Sequence, residues 1–444
     1  MHRSLRSKKI SSTKLGAILT GGALALAFPM LAAADVSAID AAARSVQPRM
    51  IEWRRHLHAN PELSNREVKT ADFIAKKLEA MGLEVKTGIG HTGVAALLKG
   101  GKPGRTVGLR ADMDALPVTE QTDVPFKSNV TSEFRGEKVG VMHACGHDAH
   151  VAILLGVAEA LVKMKDSLTG QVLFVFQPAE EGPPEGERGG ALYMLEQGLF
   201  DIAKPDVMLG LHVMASLNTG EIGYKPGPMM AGSDYFKVVV TGVQTHGSRP
   251  WAGIDPITVS GQILTGLQTI VSRQIDITHV PAVITVGAIK GGIRFNIIPD
   301  TVEMVGTIRT FDRDMRDDII KRMQATASNI AEASGAKAEV TVRDEVSIPP
   351  VVNDAELTSR ALPLFEQVAG KENVKLIGLQ TVAEDYSFFG TKVPSLFFWI
   401  GITPRDKDPA TVPFNHSPLF YLDEAGMLTG VRAMLTLTTD FLAK

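Results

Sequence analysis

Five apolar runs constrain what this chain can fold into more than any other feature: Gly93–Leu98, Thr106–Arg110, Gln171–Phe176, Val207–Leu211 and Leu396–Ile400. Their hydrophobicity is nearly continuous rather than alternating, so each reads as a strand covered on both faces. Amphipathic helical patterns stand between them, at Ala149–Met164, Ala191–Gln197, Ala355–Val368 and Glu424–Leu442. Two more, Ile39–Leu57 and Val68–Met81, precede the first strand. Strand–helix alternation of this kind implies an α/β fold with a mostly parallel sheet covered by helices. The 444 residues are enough for two or three domains, and a 44% hydrophobic content supports a large core.

The stretch from Ser233 to Glu345 departs from that alternation. It reads as a strand (Tyr235–Val243), a helix (Pro256–Arg273), two strands (Ala282–Lys290 and Thr301–Thr310), a helix (Arg313–Ala333) and a strand (Lys337–Arg343). That order is the ferredoxin-like split motif. The expected division is a catalytic domain in two pieces, 35–232 and 346–444, interrupted by an inserted α+β domain, 233–345. The joints KPGPMMAG and SIPPVVN are rich in Pro and Gly and suit hinge positions.

Residues 1–34 form a separate class. Arg3, Arg6, Lys8, Lys9 and Lys14 make a basic start, an apolar run extends from Leu15 to about Leu31, and Ala32 and Ala34 give a small-x-small cleavage pattern. The expectation is a signal peptide, a mature start near Asp35, and a periplasmic or secreted protein without a stable membrane anchor. A retained anchor is the alternative; the short run, broken by Gly21, Gly22 and Pro29, argues against it. Cleavage would remove five of the 46 basic residues and none of the 49 acidic ones, turning a formal −3 into −8. Nucleic acid is therefore not an expected partner. The one cysteine, Cys145, rules out an internal disulfide. A free thiol in an oxidising compartment calls for burial or a metal.

Candidate ligands gather where strands end. LRADMD follows the strand at Thr106, FQPAEEG the strand at Gln171, and GLHV closes the strand at Val207. In open α/β sheets the site lies beyond the carboxyl ends of the strands. The densest segment, MHACGHDAHVAILLG, holds His143, Cys145, His147, Asp148 and His150 at the start of a helix. Thiolate and imidazole suit Zn, Co, Mn or Ni. His143 and His150 could equally cap or pack. Glu180 and Glu181 are adjacent, so one can bind metal while the other faces the attacking water as a free base. A solvated acidic loop is the plainer reading of that pair. His212 and His416 join the set through their positions at the same edge. A Cys145–His nucleophile is the competing chemistry. It leaves Glu180, Glu181, His212 and His416 without a task.

RRHLHANPEL, LRADMDALP, MHACGHDAHVAILLG, FQPAEEG, GLHV, THGSRPWAGIDPI, NIIPD, AEDYSFF and FNHSPLF occur in this order. Together they resemble the amidohydrolase branch of the aminoacylase and carboxypeptidase dinuclear metallopeptidase superfamily, over the whole mature chain. Hippurate hydrolases, N-acyl-amino-acid amidohydrolases and auxin-conjugate hydrolases belong to that branch. The resemblance implies two divalent metal ions (Zn, Mn, Co or Ni) bridged by Cys145 and held by His147, Glu181, His212 and His416. It implies Glu180 as general base and then proton donor, Asp114 as the carboxylate that orients a ligand, and His246 as the oxyanion donor. Asn296 would help bind substrate. The inserted domain would serve as lid and dimer contact, giving a homodimer or higher homo-oligomer. One departure is visible: THGSRPW stands where the family commonly has SHAAxPH, so Trp251 replaces a second histidine and Ser248 and Arg249 replace small residues.

The implied substrates are small N-acyl amino acids or similar conjugates, cleaved at the amide bond. A dipeptidase or carboxypeptidase of the same superfamily is the near alternative. A periplasmic binding protein and a catalytically inert relative are the distant ones; neither needs a base beside a metal cluster.

Overall fold

The computed structural model describes residues 36–343 and 347–443. The leader expected over 1–34 and the far boundary of the insert, at 345, lie outside the described residues. Among the described residues no helix is long and apolar enough to cross a membrane.

The catalytic part begins with helices α1 (Val36–Ala59) and α2 (Val68–Ala80), then strands β1 (Glu84–Ile89), β2 (Gly93–Lys99) and β3 (Lys102–Asp112). Helix α3 (His147–Met164), strand β4 (Thr169–Gln177), helix α4 (Gly190–Glu196) and strands β5 (Val207–Asn218) and β6 (Ile222–Tyr224) follow. After the insert come α5 (Ala355–Ala369), β7 (Val374–Leu376), β8 (Ser395–Thr403) and α6 (Ala425–Leu442). The eight strands form one sheet in the order β1-β2-β4-β3-β5-β8-β6-β7. Its centre, β4-β3-β5-β8, is parallel throughout. The flanks are not: β2 runs antiparallel to β1 and β4, and β6 antiparallel to β8. The chain reverses at Gly100–Gly101, so β2 and β3 flank β4 while running in opposite directions.

Helix α3 is buried along the whole of His147–Leu161. A helix apolar on all sides must be packed on all sides, and α1, α6 and the sheet enclose it. Ile153, Leu154, Phe174, Leu211, Phe398 and Met434 belong to this one core. Each such side chain contributes about 1.5–3 kcal/mol by leaving water. That packing fixes the first turn of α3 against the carboxyl ends of β3 and β5.

The insert folds as read. Its strands Gly232–Thr241, Ala282–Gly291, Thr301–Thr310 and Lys337–Val342 form a fully antiparallel sheet, with the second and fourth at the edges. Helices Pro256–Arg273 and Arg313–Ala333 pack on it over a core of its own, including Phe236, Ile263, Met304 and Met323. Asp255 caps the first helix through Ile257 N–H (2.9 Å), ahead of a Pro at its first position. The two joints run side by side: Gly227–Met230 pairs antiparallel with Val351–Asn353.

Candidate metal centre

Gly146 makes the centre possible. It sits between Cys145 and His147 with φ +100°, and a Cβ there would lie 2.4 Å from Val213 Cγ2. Only glycine takes both the left-handed backbone and the close approach. The turn aims Cys145 and His147 into the same space. Cys145 Sγ lies 3.3 Å from His212 Nε2 and 3.3 Å from His416 Nε2. His416 Nε2 is also 3.1 Å from Glu181 Oε1, yet that oxygen makes no hydrogen bond. His147 Nε2 is 4.0 Å from Glu180 Oε2. The potential ligand atoms fall into five overlapping sets: Cys145, His147 and His212; Cys145, Glu181 and His416; His147, Glu180 and Glu181; and two around Asp112, one with His147 and His150 and one with Glu180 and Glu384. Glu180 and Glu181, neighbours in sequence, share His147, but only Glu181 also joins Cys145 and His416.

Tautomers show what these atoms want. His147 Nδ1–H donates to the Asp114 carbonyl (2.9 Å) and to Asp114 Oδ1 (3.2 Å); its buried Nε2 has no hydrogen-bond partner and faces Asp112 Oδ2 at 3.5 Å, a place for a proton or a metal ion. His212 Nδ1–H donates to the Val213 carbonyl at 2.7 Å, leaving its Nε2 lone pair toward Cys145. Buried lone pairs converging without donors are expensive unless a cation sits among them. Thiolate, imidazole and carboxylate together are ligands for borderline divalent ions.

Asp114 ties the parts together. Beyond His147, its Oδ1 accepts from Glu180 N–H (3.2 Å) and its Oδ2 from Glu181 N–H (3.1 Å) and Ser64 Oγ (2.7 Å). A single carboxylate therefore orients one imidazole and the backbone of both glutamates. Ala179, just before the pair, has φ +52° and is held by its N–H to Glu67 Oε1 at 2.9 Å. His416, at φ +73°, is the other left-handed non-glycine of the site. Asn415 staples its loop down, donating to the Cys145 carbonyl (2.9 Å) and accepting from Ala215 N–H (3.2 Å).

Histidines 143 and 150 part company with that set. His150 Nδ1–H donates to Asp112 Oδ1 at 2.5 Å and its Nε2 accepts from Val213 N–H at 2.8 Å. Both ring nitrogens are engaged, so it positions Asp112 and the end of β5 instead of binding an ion. His143 is buried with both nitrogens unpartnered and lies in none of the ligand sets. Burial holds it neutral, pushing its pKa down to about 4.

A second tier was not assigned from the sequence. Arg110, fully buried in β3, donates to Asp112 Oδ2 (2.8 Å), Glu384 Oε1 (2.8 Å), Asp385 Oδ1 (3.2 Å) and Gln177 Oε1 (2.8 Å). Burial opposes its charge, but Asp112, then Glu384 and Asp385, outweigh burial and raise its pKa. The signal was legible: an arginine inside an otherwise apolar covered strand must have buried anions facing it.

Electrostatics favour added positive charge. Asp112, Glu384 and Asp385 take hydrogen bonds from the one guanidinium, Arg110, and Glu180 also acts on its charge. Burial, then Glu181 and Glu180, pushes the Cys145 thiol well up, so it does not ionise unaided. This disfavours the thiol-nucleophile reading. Burial, then Glu384 and Glu181, raises Glu180 well above the usual carboxylate range. Burial opposes protonation of His147, yet Asp112 and Asp114 pull its pKa up to about 10. Carboxylates that attract a proton this strongly also attract a metal cation, which displaces it.

Residues 108–440 match the model of peptidase family M20/M25/M40. The chain belongs to this family. It is 41% identical over 400 residues to thermostable carboxypeptidase 2 of Saccharolobus solfataricus, covering 90% of this chain and 96% of that one. It is 42% identical over 308 residues to an N-acyl-L-amino acid amidohydrolase of Geobacillus stearothermophilus, covering 69% and 79%. Its fold superposes on the Bacillus subtilis YXEP protein, a dinuclear metal-binding peptidase of family M20, with a TM-score of 0.75 at 34% identity, covering 90% of this chain and 99% of that one. The chain is thus a metal-dependent hydrolase of amide bonds.

The insert's two candidates meet each other rather than the cluster. His246 pairs with Ile297 in a short antiparallel ribbon, and Gly247 N–H donates to the Asn296 carbonyl at 2.8 Å. Among the described residues no hydrogen bond or ion pair joins His246 or Asn296 to the Cys145 cluster.

Proposed function

We propose that this hydrolase cleaves the amide bond of small N-acyl amino acids with the aid of two divalent cations, which Cys145, His147, Glu181, His212 and His416 would hold. The observation that carries the reading is the convergence of ligand-type atoms, all within 4.8 Å of one another in each set. His147 Nε2 and Glu181 Oε1 have no hydrogen-bond partner, and Cys145 lies 3.3 Å from two imidazoles. Cys145, His147 and His212 would hold one ion; Cys145, Glu181 and His416 the other. Zinc, manganese, cobalt and nickel all suit this donor set. When bound, such ions acidify water and draw electrons from a carbonyl.

The remaining chemistry belongs to side chains. Glu180, which shares no set with Cys145 or His416, takes the proton of the attacking water. Its raised pKa suits it to return that proton to the departing nitrogen. Asp114 holds the backbone of both glutamates and the tautomer of His147. His246, on the insert, supplies a hydrogen bond to the developing oxyanion. Asn296, on the adjoining turn, would contact the same substrate. The insert closes over substrate by bending at the paired joints.

Two relatives carry different names, a carboxypeptidase and an N-acyl-amino-acid amidohydrolase. Peptide carboxyl ends are thus the second reading. Turnover of matched N-acyl amino acids and dipeptides on metal-loaded protein separates them. A kcat/KM higher for dipeptides would move the assignment to carboxypeptidase.

The basic, then apolar, residues 1–34 support export with cleavage near Asp35. A homodimer through the insert is supported by its edge strand Ala282–Gly291. That strand pairs on one side only among the described residues, beside Ile293 and Phe295, which are 101% and 96% exposed.

A further inference from the structure

Ser248 occupies a position where the family pattern commonly has a small residue, two places after His246. In this chain it is bonded to that imidazole. Ser248 N–H donates to His246 Nδ1 at 3.1 Å, and Ser248 Oγ lies 2.7 Å from the same nitrogen. A backbone amide can only donate, so Nδ1 must present its lone pair. The hydroxyl then donates to it as well, and the ring proton resides on Nε2. The loop beneath is firmly shaped. Arg249 N–H donates to the His246 carbonyl (2.8 Å), Gly247 N–H to the Asn296 carbonyl (2.8 Å), and His246 is registered opposite Ile297.

His246 is exposed, so burial does not choose its tautomer. In water an imidazole exchanges between two neutral tautomers, and only one places a proton on the outer nitrogen. An oxyanion donor needs that proton in place before the substrate arrives. An imidazole given the wrong tautomer loses most of its catalytic value. We infer that Ser248 is a positioning residue: its hydroxyl, added to its own backbone N–H, locks His246 in the Nε2–H form and aims that proton outward. This inference rests on the oxyanion role of His246 and deepens it. It also gives the departure from the family pattern a chemical purpose, since alanine at 248 would leave the backbone bond alone.

The test uses metal-loaded protein labelled with 15N-histidine. The His246 ring signals are those that vanish in His246→Ala. In the wild type, Nε2 should be protonated and Nδ1 should show the shift of an unprotonated, hydrogen-bonded nitrogen. Ser248→Ala should move both ring nitrogens toward tautomer averaging and lower kcat about fivefold, with KM changed less than about twofold, as for one lost hydrogen bond. Ser248→Thr, which keeps the hydroxyl, should restore both readouts. Wild-type ring shifts in Ser248→Ala would overturn the inference while leaving the role of His246 intact, provided His246→Ala is still crippled. Full kcat in His246→Ala would instead remove the oxyanion role, and this inference with it.

Discussion

Two neighbouring glutamates divide the labour of the site because adjacent side chains cannot face the same way. Glu181 shares its surroundings with Cys145 and His416, Glu180 with His147, Asp112 and Glu384. Glu180→Gln should therefore keep the metal complement while lowering kcat by on the order of 10²–10⁴. Metal analysis beside steady-state kinetics checks this; a glutamine variant with wild-type kcat would remove the base from the scheme. Residue types alone made Cys145, His147 and the glutamate pair legible, because thiolate, imidazole and spare carboxylate have few joint uses. Those types could not show that His150 has both nitrogens engaged or that the Asp114 carboxylate serves four partners, since such facts depend on ring orientation and on backbone N–H directions.

At the scale of elements, the candidate ligands come from loops (Cys145, Glu181 and His416), the first turn of α3 (His147) and strand β5 (His212). Gly146→Ala would force a Cβ to within 2.4 Å of Val213 Cγ2 at a φ of +100°. About tenfold weaker metal binding is expected, from strain of roughly 1–3 kcal/mol, and a chelator competition titration reads it. Helix α1 braces the first turn of α3 from behind. Arg54 Nε donates to Asp148 Oδ2 (2.8 Å), and His58 lies 2.8 Å from the same oxygen and 3.1 Å from Glu120 Oε1. Burial opposes the charge on His58, but Asp148 and then Glu120 outweigh it and raise its pKa above 6.5. A raised pKa stabilises the fold fully below about pH 6.5 and less as pH climbs through the raised value. His58→Gln should thus cost about 3 kcal/mol at pH 6 and clearly less at pH 9, by urea denaturation at fixed metal. An equal cost at both values would mean that His58 is neutral in the folded protein. The strand and helix positions were readable from apolar runs because covered strands have no polar face. The antiparallel flanks were not, since β2 and β6 have the same composition whichever way they run.

For the molecule as a whole, the insert has its own core and two paired joints, and the proposed closure and dimer contact both rest on it. Phe295→Asp should shift a homodimer toward monomer, read by light scattering over a dilution series. A wild-type mass unchanged at every concentration for both proteins would place any assembly elsewhere. The insert's order of elements was legible because strands and helices there alternate polar and apolar faces cleanly. Its bearing on the metal centre was not, since His246 and Asn296 pair only within the insert and composition says nothing of how far they lie from the Cys145 cluster. The most direct measurement is the metal-to-chain ratio of purified, reconstituted protein, with hydrolysis of an N-acyl amino acid followed as a chelator strips it. Two divalent ions per chain, activity lost with their removal, and at most one ion in Cys145→Ala are expected. Undiminished hydrolysis by fully metal-free protein, or two tightly held ions in Cys145→Ala, would contradict a bridging thiolate at the heart of this enzyme.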